Sequence, residues 1–221
     1  MASPVYPPGS SASPAQPDTH STVVRPVEFE RDVRAPALGG GASLPRATLI
    51  LGGARSGKSA YAEQIIEGAR VSQGARPVYI ATAEARDSEM AERIRLHQDR
   101  RGNRWDTVEE PIYLSGALVT HGSRPVLVDC LTLWLTNLIL AEAEVEAAGA
   151  ALIAACAGAP GPVVLVGSEV GLGIVPDNAL ARRFRDAAGR LHQRLAARAD
   201  HVVFMVAGLP MIVKPAPGAN P

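Results

Sequence analysis

The residues best able to do chemistry stand in the segment Gly52–Ser59, which reads Gly-Gly-Ala-Arg-Ser-Gly-Lys-Ser. This matches the P-loop pattern, in which curled backbone N–H groups and the positive end of the following helix bind phosphate. In P-loops the lysine, here Lys58, contacts the β- and γ-phosphates, and the next residue, here Ser59, binds Mg²⁺. An apolar run before the loop and a helical pattern after it argue against a chance match. The predicted nucleotide-binding residues of the loop are Gly52, Gly53, Ala54, Arg55, Ser56, Gly57, Lys58 and Ser59.

A second acidic position completes the expected metal site. The apolar run Val126–Val128 ends in Asp129, and P-loop enzymes use an acid at the end of such a strand to hold Mg²⁺. The alternative is that Asp129 caps a helix beginning near Leu131, which is a common role for aspartate. Asp129 can play both roles, and we favour the metal role because a P-loop needs an acidic partner to bind Mg²⁺. The expected cofactor is therefore Mg²⁺, held by Ser59 and Asp129.

Short apolar runs alternate with helical patterns along the chain. This alternation predicts an α/β fold whose mostly parallel strands are flanked by helices and joined by right-handed crossovers. Ligands of such sheets bind beyond the carboxyl ends of the strands. The strand-like runs are Ala47–Leu51, Pro77–Ala81, Pro125–Val128, Pro162–Val166 and His201–Val206. The helical stretches are Ser59–Arg70, Asp87–Arg101, Leu131–Cys156, which has room for two helices, and Asn178–Arg198 with an apolar stripe from Leu180 to Leu195.

The two ends of the chain differ in composition from its middle. Residues 1–45 hold eight of the 18 prolines and are rich in serine and glycine, so we expect a disordered extension with at most an edge strand at Val23–Val33. Residues 46–214 form the predicted catalytic domain, and residues 215–221 are expected to fray.

Charge and cysteine content exclude several classes of protein. Lysine plus arginine and aspartate plus glutamate both total 22, so charge gives no reason to expect a nucleic-acid partner. The sequence has no 18-residue apolar stretch and no leader-like N-terminus, so we expect a cytoplasmic protein without a membrane span. Two cysteines, Cys130 and Cys156, exclude a disulfide scaffold and a four-cysteine zinc site, and we interpret both as small buried core residues.

Four further segments extend the pattern beyond the P-loop. They are Tyr79–Ala83; Glu89–Ile94 with His97, Arg101, Trp105, Thr107, Glu109 and Pro111; Asp129–Thr132 with Trp134, Thr136 and Asn137; and Glu169–Pro176 with Arg182, Phe184–Asp186 and Gly189. In order, spacing and residue type, these segments closely resemble the bifunctional adenosylcobinamide kinase / adenosylcobinamide-phosphate guanylyltransferase family of cobalamin biosynthesis. The resemblance covers about residues 47 to 214. Small departures, such as Ser168 before Glu169, concern the substrate side.

The resemblance implies a two-step enzyme on a RecA-like P-loop sheet. Such an enzyme phosphorylates the aminopropanol hydroxyl of adenosylcobinamide with ATP or GTP. It then transfers GMP from GTP to that phosphate, releasing pyrophosphate, through a guanylylated histidine at the position of His97. The resemblance also implies a homo-oligomer, with a trimer expected.

His97 has a chemical rationale of its own. A neutral imidazole is a competent nucleophile, and Arg93, Arg95, Arg100, Arg101 and Arg104 surround His97 in the sequence. Such a cluster could neutralise triphosphate charge and would lower the pKa of His97, keeping it neutral. Without the resemblance, a core histidine beside a solvated arginine-rich helix face would be the better interpretation. Catalytic roles are therefore predicted for His97, Lys58 and Glu169.

Other family positions transfer one residue at a time. They predict further nucleotide contacts at Ala81, Thr82, Ala83, Gln98, Asp99, Arg100, Arg101, Glu109 and Asp129. Glu169 ends a predicted strand and could be a base for the cobinamide hydroxyl or lie near the metal, although pairing with an arginine is an equal alternative. The loop Gly171–Pro176 has glycine hinges and could close over a corrinoid edge; its alternative is a tight turn before the next helix.

Two rival functions keep the P-loop but change its use. A monofunctional small-molecule kinase would use Lys58, Ser59 and Asp129 and give His97 no covalent role. A RecA-like ATPase interaction module would hydrolyse nucleotide in response to a partner, which the neutral charge disfavours. The sequence has no Asn-Lys-x-Asp motif, so a switch GTPase is not supported.

Overall fold

The computed structural model describes residues 43–69, 76–84, 88, 92, 95, 98–99 and 102–218. The extension through residue 42, the suggested edge strand at Val23–Val33 and most of the predicted helix Asp87–Arg101 lie outside these residues. The end of the frayed tail expected at residues 215–221 also lies outside them.

A seven-stranded sheet organises the described chain. Its strands are β1 Ala47–Gly52, β2 Val78–Ala81, β3 Asp106–Glu109, β4 Val126–Asp129, β5 Val163–Ser168, β6 His201–Val206 and β7 Leu209–Lys214. The spatial order is β3-β2-β4-β5-β1-β6-β7. All neighbouring strands run parallel except β6 and β7, which form an antiparallel hairpin. The expectation of an α/β fold with a mostly parallel sheet flanked by helices is confirmed.

Five described helices flank the sheet. They are α1 Lys58–Gly68, α2 Leu114–His121, α3 Leu131–Leu140, α4 Val145–Gly158 and α5 Ala179–Arg198. The predicted helical stretch Leu131–Cys156 is two helices, because the chain turns between them at Glu142, whose φ is 54°. Helix α5 begins where the sequence predicts, since the side chain of Asn178 accepts a hydrogen bond from the N–H of Ala181 at 2.7 Å. No described helix is long and apolar enough to span a bilayer.

The core lies on both faces of the sheet because successive strand residues point to opposite sides. Leu49, Ile80 and Leu165 pack against the helices α2 to α5, whereas Ile50 and Tyr79 pack on the face covered by α1. Both faces are fully covered at the central strands, as the continuous apolar runs predict.

The predicted apolar stripe of α5 is only partly buried. Ala187, Leu191 and Leu195 are buried, but Leu180 is exposed in the first turn of the helix, beside the exposed loop of residues 171–175. The stripe therefore begins later than the pattern predicts.

The cysteines also differ from one another. Cys156 is buried, and burial raises the pKa of its thiol to about 12. Cys130 is only partly buried as a residue, so its interpretation as a buried core residue is too strong; desolvation of its thiol still raises the pKa to about 11.

Candidate active site

The P-loop follows β1 and is shaped by two glycines. Gly52 has a φ of 149°, and a Cβ there would lie 2.6 Å from the backbone oxygen of Met205. Gly57 has a φ of 93° and is the N-cap of α1, where no side chain caps the helix. No side chain therefore accepts a hydrogen bond from the first N–H groups of α1. These groups can instead donate to an anion bound at the helix N-terminus.

Two neighbouring elements fix the P-loop backbone. The N–H of Gly208, in the turn between β6 and β7, donates to the backbone oxygen of Ser56 at 3.1 Å. On the other side, the N–H of Glu169 donates to the backbone oxygen of Gly52 at 3.0 Å. The loop is thus held by hydrogen bonds from both neighbouring strand ends.

Lys58 lies over the loop and is largely buried. Its ammonium donates to the backbone oxygen of Gly53 and, at 3.5 Å, to Oγ of Ser56. Burial lowers the pKa of Lys58, and electrostatic interactions with Cys130 and Asp129 oppose this shift. The carboxylate of Asp129 therefore lies close enough to Lys58 to affect its pKa, as we expect if both residues belong to one phosphate and metal site.

Asp129 is oriented by a tyrosine from the neighbouring strand. The buried hydroxyl of Tyr79 donates to Oδ2 of Asp129 at 2.6 Å, a length typical of a charge-assisted hydrogen bond. The residue at the N-cap of α3 is Cys130, and no side chain caps that helix. Asp129 therefore does not fill the capping role that the sequence left open.

The oxygen groups near the P-loop fit a Mg²⁺ site. Mg²⁺ binds hard oxygen ligands and keeps several waters and substrate phosphate oxygens, so few protein ligands suffice. Ser59 offers a hydroxyl and Asp129 offers a carboxylate at the same edge of the sheet. Within the described residues no group of three or more histidine, cysteine, aspartate or glutamate side chains is arranged to hold a metal ion by itself.

Thr82 has a structural role next to these groups. Its hydroxyl accepts from the N–H of Cys130 at 2.8 Å and donates to the oxygen of Cys130 at 2.7 Å. Its backbone oxygen accepts from Nδ2 of Asn137 at 2.9 Å. The side chain of Thr82 is fully buried, so it joins the ends of β2 and β4, while its partly buried neighbours Ala81 and Ala83 border the sheet edge.

Glu169 follows β5 beside the P-loop. Its carboxylate accepts from the N–H of Gly171, and its charge raises the pKa of the buried His192 against the larger lowering effect of burial. Among the described residues no arginine forms an ion pair with Glu169. The predicted alternative of arginine pairing is therefore not observed in this part of the chain.

A cavity of about 490 Å³ opens between the P-loop and Glu169. Gly53 and Ser56 form one wall, and residues 204–207 at the end of β6 form another. The remaining wall is formed by Glu169, Val170, Leu172 and Gly173. Its volume is within the range of small-molecule sites.

The other predicted nucleotide contacts lie at the far end of the sheet edge. Glu109 ends β3, and its exposed carboxylate is 3.5 Å from Nε2 of Gln98. Asp99 forms an ion pair with Arg95 at 2.8 Å, and Arg95 also pairs with Glu92 at 2.6 Å. Arg95 is thus paired with acidic residues three and four positions away in the sequence, and all three side chains are exposed. His97, Arg100 and Arg101 lie outside the described residues.

Glu109 is well separated from the P-loop along the sheet edge. Strands β3 and β1 are four positions apart in the sheet, and neighbouring strands are spaced by about 4.8 Å, which places their ends about 19 Å apart. The structure brings Lys58 and Glu169 to the P-loop half of the edge, and Glu109 and Gln98 to the β3 half. Asp129 ends β4, which lies midway between β1 and β3.

Sequence reasoning missed three groups that support the site. The hydroxyl of Tyr79 holds Asp129, and Oγ1 of Thr132 accepts from the N–H of Ser168 at 2.7 Å, next to Glu169. Trp105 packs edge-on against Tyr79 and donates to Glu67 at 2.9 Å. All three residues lie in the segments that carry the family resemblance. Their contacts could not be predicted, because each partner is distant in the sequence.

Comparison with known proteins gives one consistent result. Residues 48–213 match the family model described as cobinamide kinase / cobinamide phosphate guanyltransferase. The chain is 47% identical over 173 residues to the bifunctional adenosylcobalamin biosynthesis protein CobP of Pseudomonas aeruginosa, covering 76% of this chain and 98% of that protein. It is 43% and 40% identical to the bifunctional adenosylcobalamin biosynthesis proteins CobU of Salmonella typhimurium and Escherichia coli, covering 75% of this chain and 98% of each.

Solved structures resemble the chain more distantly. The flagellar accessory protein FlaH of Methanocaldococcus jannaschii superimposes with a TM-score of 0.49 at 12% identity, covering 81% of this chain and 84% of that chain. A KaiC-like protein of Pyrococcus horikoshii gives a TM-score of 0.42 at 13% identity, covering 74% of this chain and 72% of that chain.

Proposed function

Because this chain belongs to the cobinamide kinase / cobinamide phosphate guanyltransferase family, we infer that it is a transferase with two successive activities. It phosphorylates adenosylcobinamide with ATP or GTP, and it then transfers GMP from GTP to the new phosphate, giving adenosyl-GDP-cobinamide. The observation that carries this inference is the P-loop, with Lys58 held over it, inside a family match that spans nearly the full length of its relatives.

The first step uses the P-loop half of the sheet edge. The N–H groups at the start of α1 and the ammonium of Lys58 bind the β- and γ-phosphates and stabilise the charge that develops during transfer. Ser59 and Asp129 hold Mg²⁺, which when bound neutralises phosphate charge. Tyr79 keeps one oxygen of Asp129 occupied and so fixes the direction of the other. The carboxylate of Glu169 takes the proton of the cobinamide hydroxyl.

The second step is assigned to His97. A ring nitrogen of His97 attacks the α-phosphorus of GTP, the new P–N bond forms, and pyrophosphate leaves with the electron pair of the broken P–O bond. An oxygen of cobinamide phosphate then attacks the same phosphorus, and the P–N bond breaks to regenerate the imidazole. His97 directly precedes Gln98, which contacts Glu109; nearby Asp99, Arg100 and Arg101 complete the proposed guanylyl half.

The chain is also proposed to act in the cytoplasm as a homo-oligomer, with a trimer expected from the family resemblance. Strand β7 supports association, because it is an edge strand whose side chains Leu209, Met211, Ile212 and Val213 are all exposed. Long apolar edge strands are normally covered by another element or another chain.

The mass of the intact protein after incubation with Mg²⁺ and GTP tests the two-step function. We expect a GMP-sized adduct that is acid-labile and base-stable in the wild type, and none in His97→Ala. His121→Ala, which removes a histidine from the end of α2, should keep the adduct. An adduct that persists in His97→Ala would contradict the assignment of the nucleophile. The absence of any adduct, with cobinamide phosphorylation intact, would favour the monofunctional kinase.

A further inference from the structure

We propose that the cavity beside the P-loop, with the exposed apolar loop that borders it, is the corrinoid-acceptor site of the kinase step. The proposal rests on the function inferred above. The cavity has a volume of about 490 Å³ and opens directly onto Gly53 and Ser56 of the P-loop. A group that enters it therefore meets the place where the transferred phosphate is bound.

The border of the cavity is unusually apolar for a surface. Leu172 is 83% exposed, Ile174 98%, Val175 60% and Val206 51%, and they stand on the loop after Glu169 and at the end of β6. Single exposed apolar residues are common, but a group of them beside a polar site marks a binding surface. We call these four side chains the apolar rim.

The chemistry of the acceptor matches a small cavity with an apolar rim. Adenosylcobinamide carries its reacting hydroxyl on a short flexible arm, attached to a large macrocycle whose edge bears methyl groups between its amide side chains. The arm fits the cavity, whereas the macrocycle is too large to enter and would lie against the rim. Burial of Leu172 and Val206 against it would remove apolar surface from water and so favour binding.

Glu169 is placed to receive the proton from this acceptor. Its carboxylate lines the cavity and is oriented by the N–H of Gly171. The hydroxyl oxygen forms a bond to the γ-phosphorus, and the bond from that phosphorus to the β–γ bridging oxygen breaks. Its electron pair leaves on the nucleoside diphosphate, and the hydroxyl proton passes to Glu169 and then to solvent.

Corrinoid binding by purified full-length protein tests the site. Dicyanocobinamide is coloured, so equilibrium dialysis gives its affinity directly, and a fluorescent GTP analogue reports the nucleotide site. We expect Leu172→Ser and Val206→Ser each to weaken cobinamide binding about tenfold, the loss expected for one packed apolar side chain. Nucleotide affinity should not change. Leu140→Ser, which removes a similarly exposed leucine at the end of α3, should bind both ligands like the wild type.

Three outcomes would overturn the proposal and are distinguishable. If the wild-type protein binds nucleotide but no cobinamide, both the proposed function and the proposed acceptor site are contradicted. If both rim variants bind cobinamide as tightly as the wild type, only the proposed location of the acceptor site is contradicted. Rim variants that change the mass in light scattering and keep their cobinamide affinity would assign the rim to a contact between copies of the chain. Glu169→Gln adds a separate readout, because it should keep cobinamide affinity and lose phosphoryl transfer.

Discussion

The two halves of the sheet edge are built in different ways. At the half formed by β1, β5 and β4, functional groups are buried or partly buried and held by short hydrogen bonds, including those of Lys58 and of Tyr79 to Asp129. At the half formed by β3, Glu109 is exposed, and its contact with Gln98 is 3.5 Å long. The proposed phosphate cradle is therefore formed by the fold itself, whereas the described part of the proposed guanylyl half is a set of solvated side chains.

This difference matters for how each half can work. Buried donors aimed at one point stabilise developing charge without reorganisation, which suits phosphoryl transfer. Exposed side chains must be ordered by the ligand, and ordering each one costs free energy. We therefore expect substitutions in the P-loop half to act strongly and those in the β3 half to act weakly.

Lys58→Ala should have the largest effect. Loss of the buried ammonium removes the main positive charge of the cradle, and the rate of cobinamide phosphorylation should fall by about 10²- to 10³-fold. GMP transfer should also be lost if the triphosphate of GTP uses the same loop. Steady-state assays of each step measure this. The only other lysine of the chain is Lys214, and Lys214→Ala should retain both rates; a similar loss there would point to general damage.

Tyr79→Phe should have an intermediate effect that appears mainly in the metal dependence. Without the hydroxyl, Asp129 loses a charge-assisted hydrogen bond, and the Mg²⁺ concentration for half-maximal binding of a fluorescent nucleotide should rise about fivefold to tenfold. Tyr61→Phe is a matched control, because Tyr61 is also buried on the α1 face of the sheet. Equal Mg²⁺ dependence in the two variants would show that Tyr79 only fills the core.

Glu109→Ala should have the smallest effect and act on one step only. Exposed polar contacts contribute at most about 1 kcal/mol, so formation of the guanylylated protein should slow by about threefold to fivefold. Cobinamide phosphorylation should not change. Thr107→Ala, on the same strand and also exposed, controls for disturbance of β3. A loss of phosphorylation in Glu109→Ala would mean that the two halves are not separate.

The sequence predicts the parts of the fold whose signals are local. The P-loop is recognised from its glycine pattern. Strands β1, β4 and β5 are predicted from their continuous apolar runs, which arise because both faces of these strands are covered. Strand β3 was not predicted, because its four residues Asp106–Glu109 are half polar and lie at the edge of the sheet. Helix α2 and strand β7 were also not predicted.

Site residues could be predicted only where a local sequence motif identifies them. Lys58 and Asp129 follow from their motifs, and the structure places both at the same sheet edge. The role of Tyr79 could not be predicted, since its partner is 50 residues away and a tyrosine within an apolar strand is usually a core residue. The separation of Glu109 from the P-loop is likewise a consequence of strand order, which single motifs do not contain.

The N–H of Gly208 donates a hydrogen bond to the backbone oxygen of Ser56. This bond limits how far the chain can be shortened from its C-terminus without disturbing the P-loop. The last parallel strand stops at Val206, and a truncation there would leave every motif intact. It would, however, remove the turn that supports the backbone of the P-loop, together with the partner of β6. The antiparallel hairpin through Lys214 is thus part of the minimal catalytic unit, and shortened or fused versions of the chain should keep it whole.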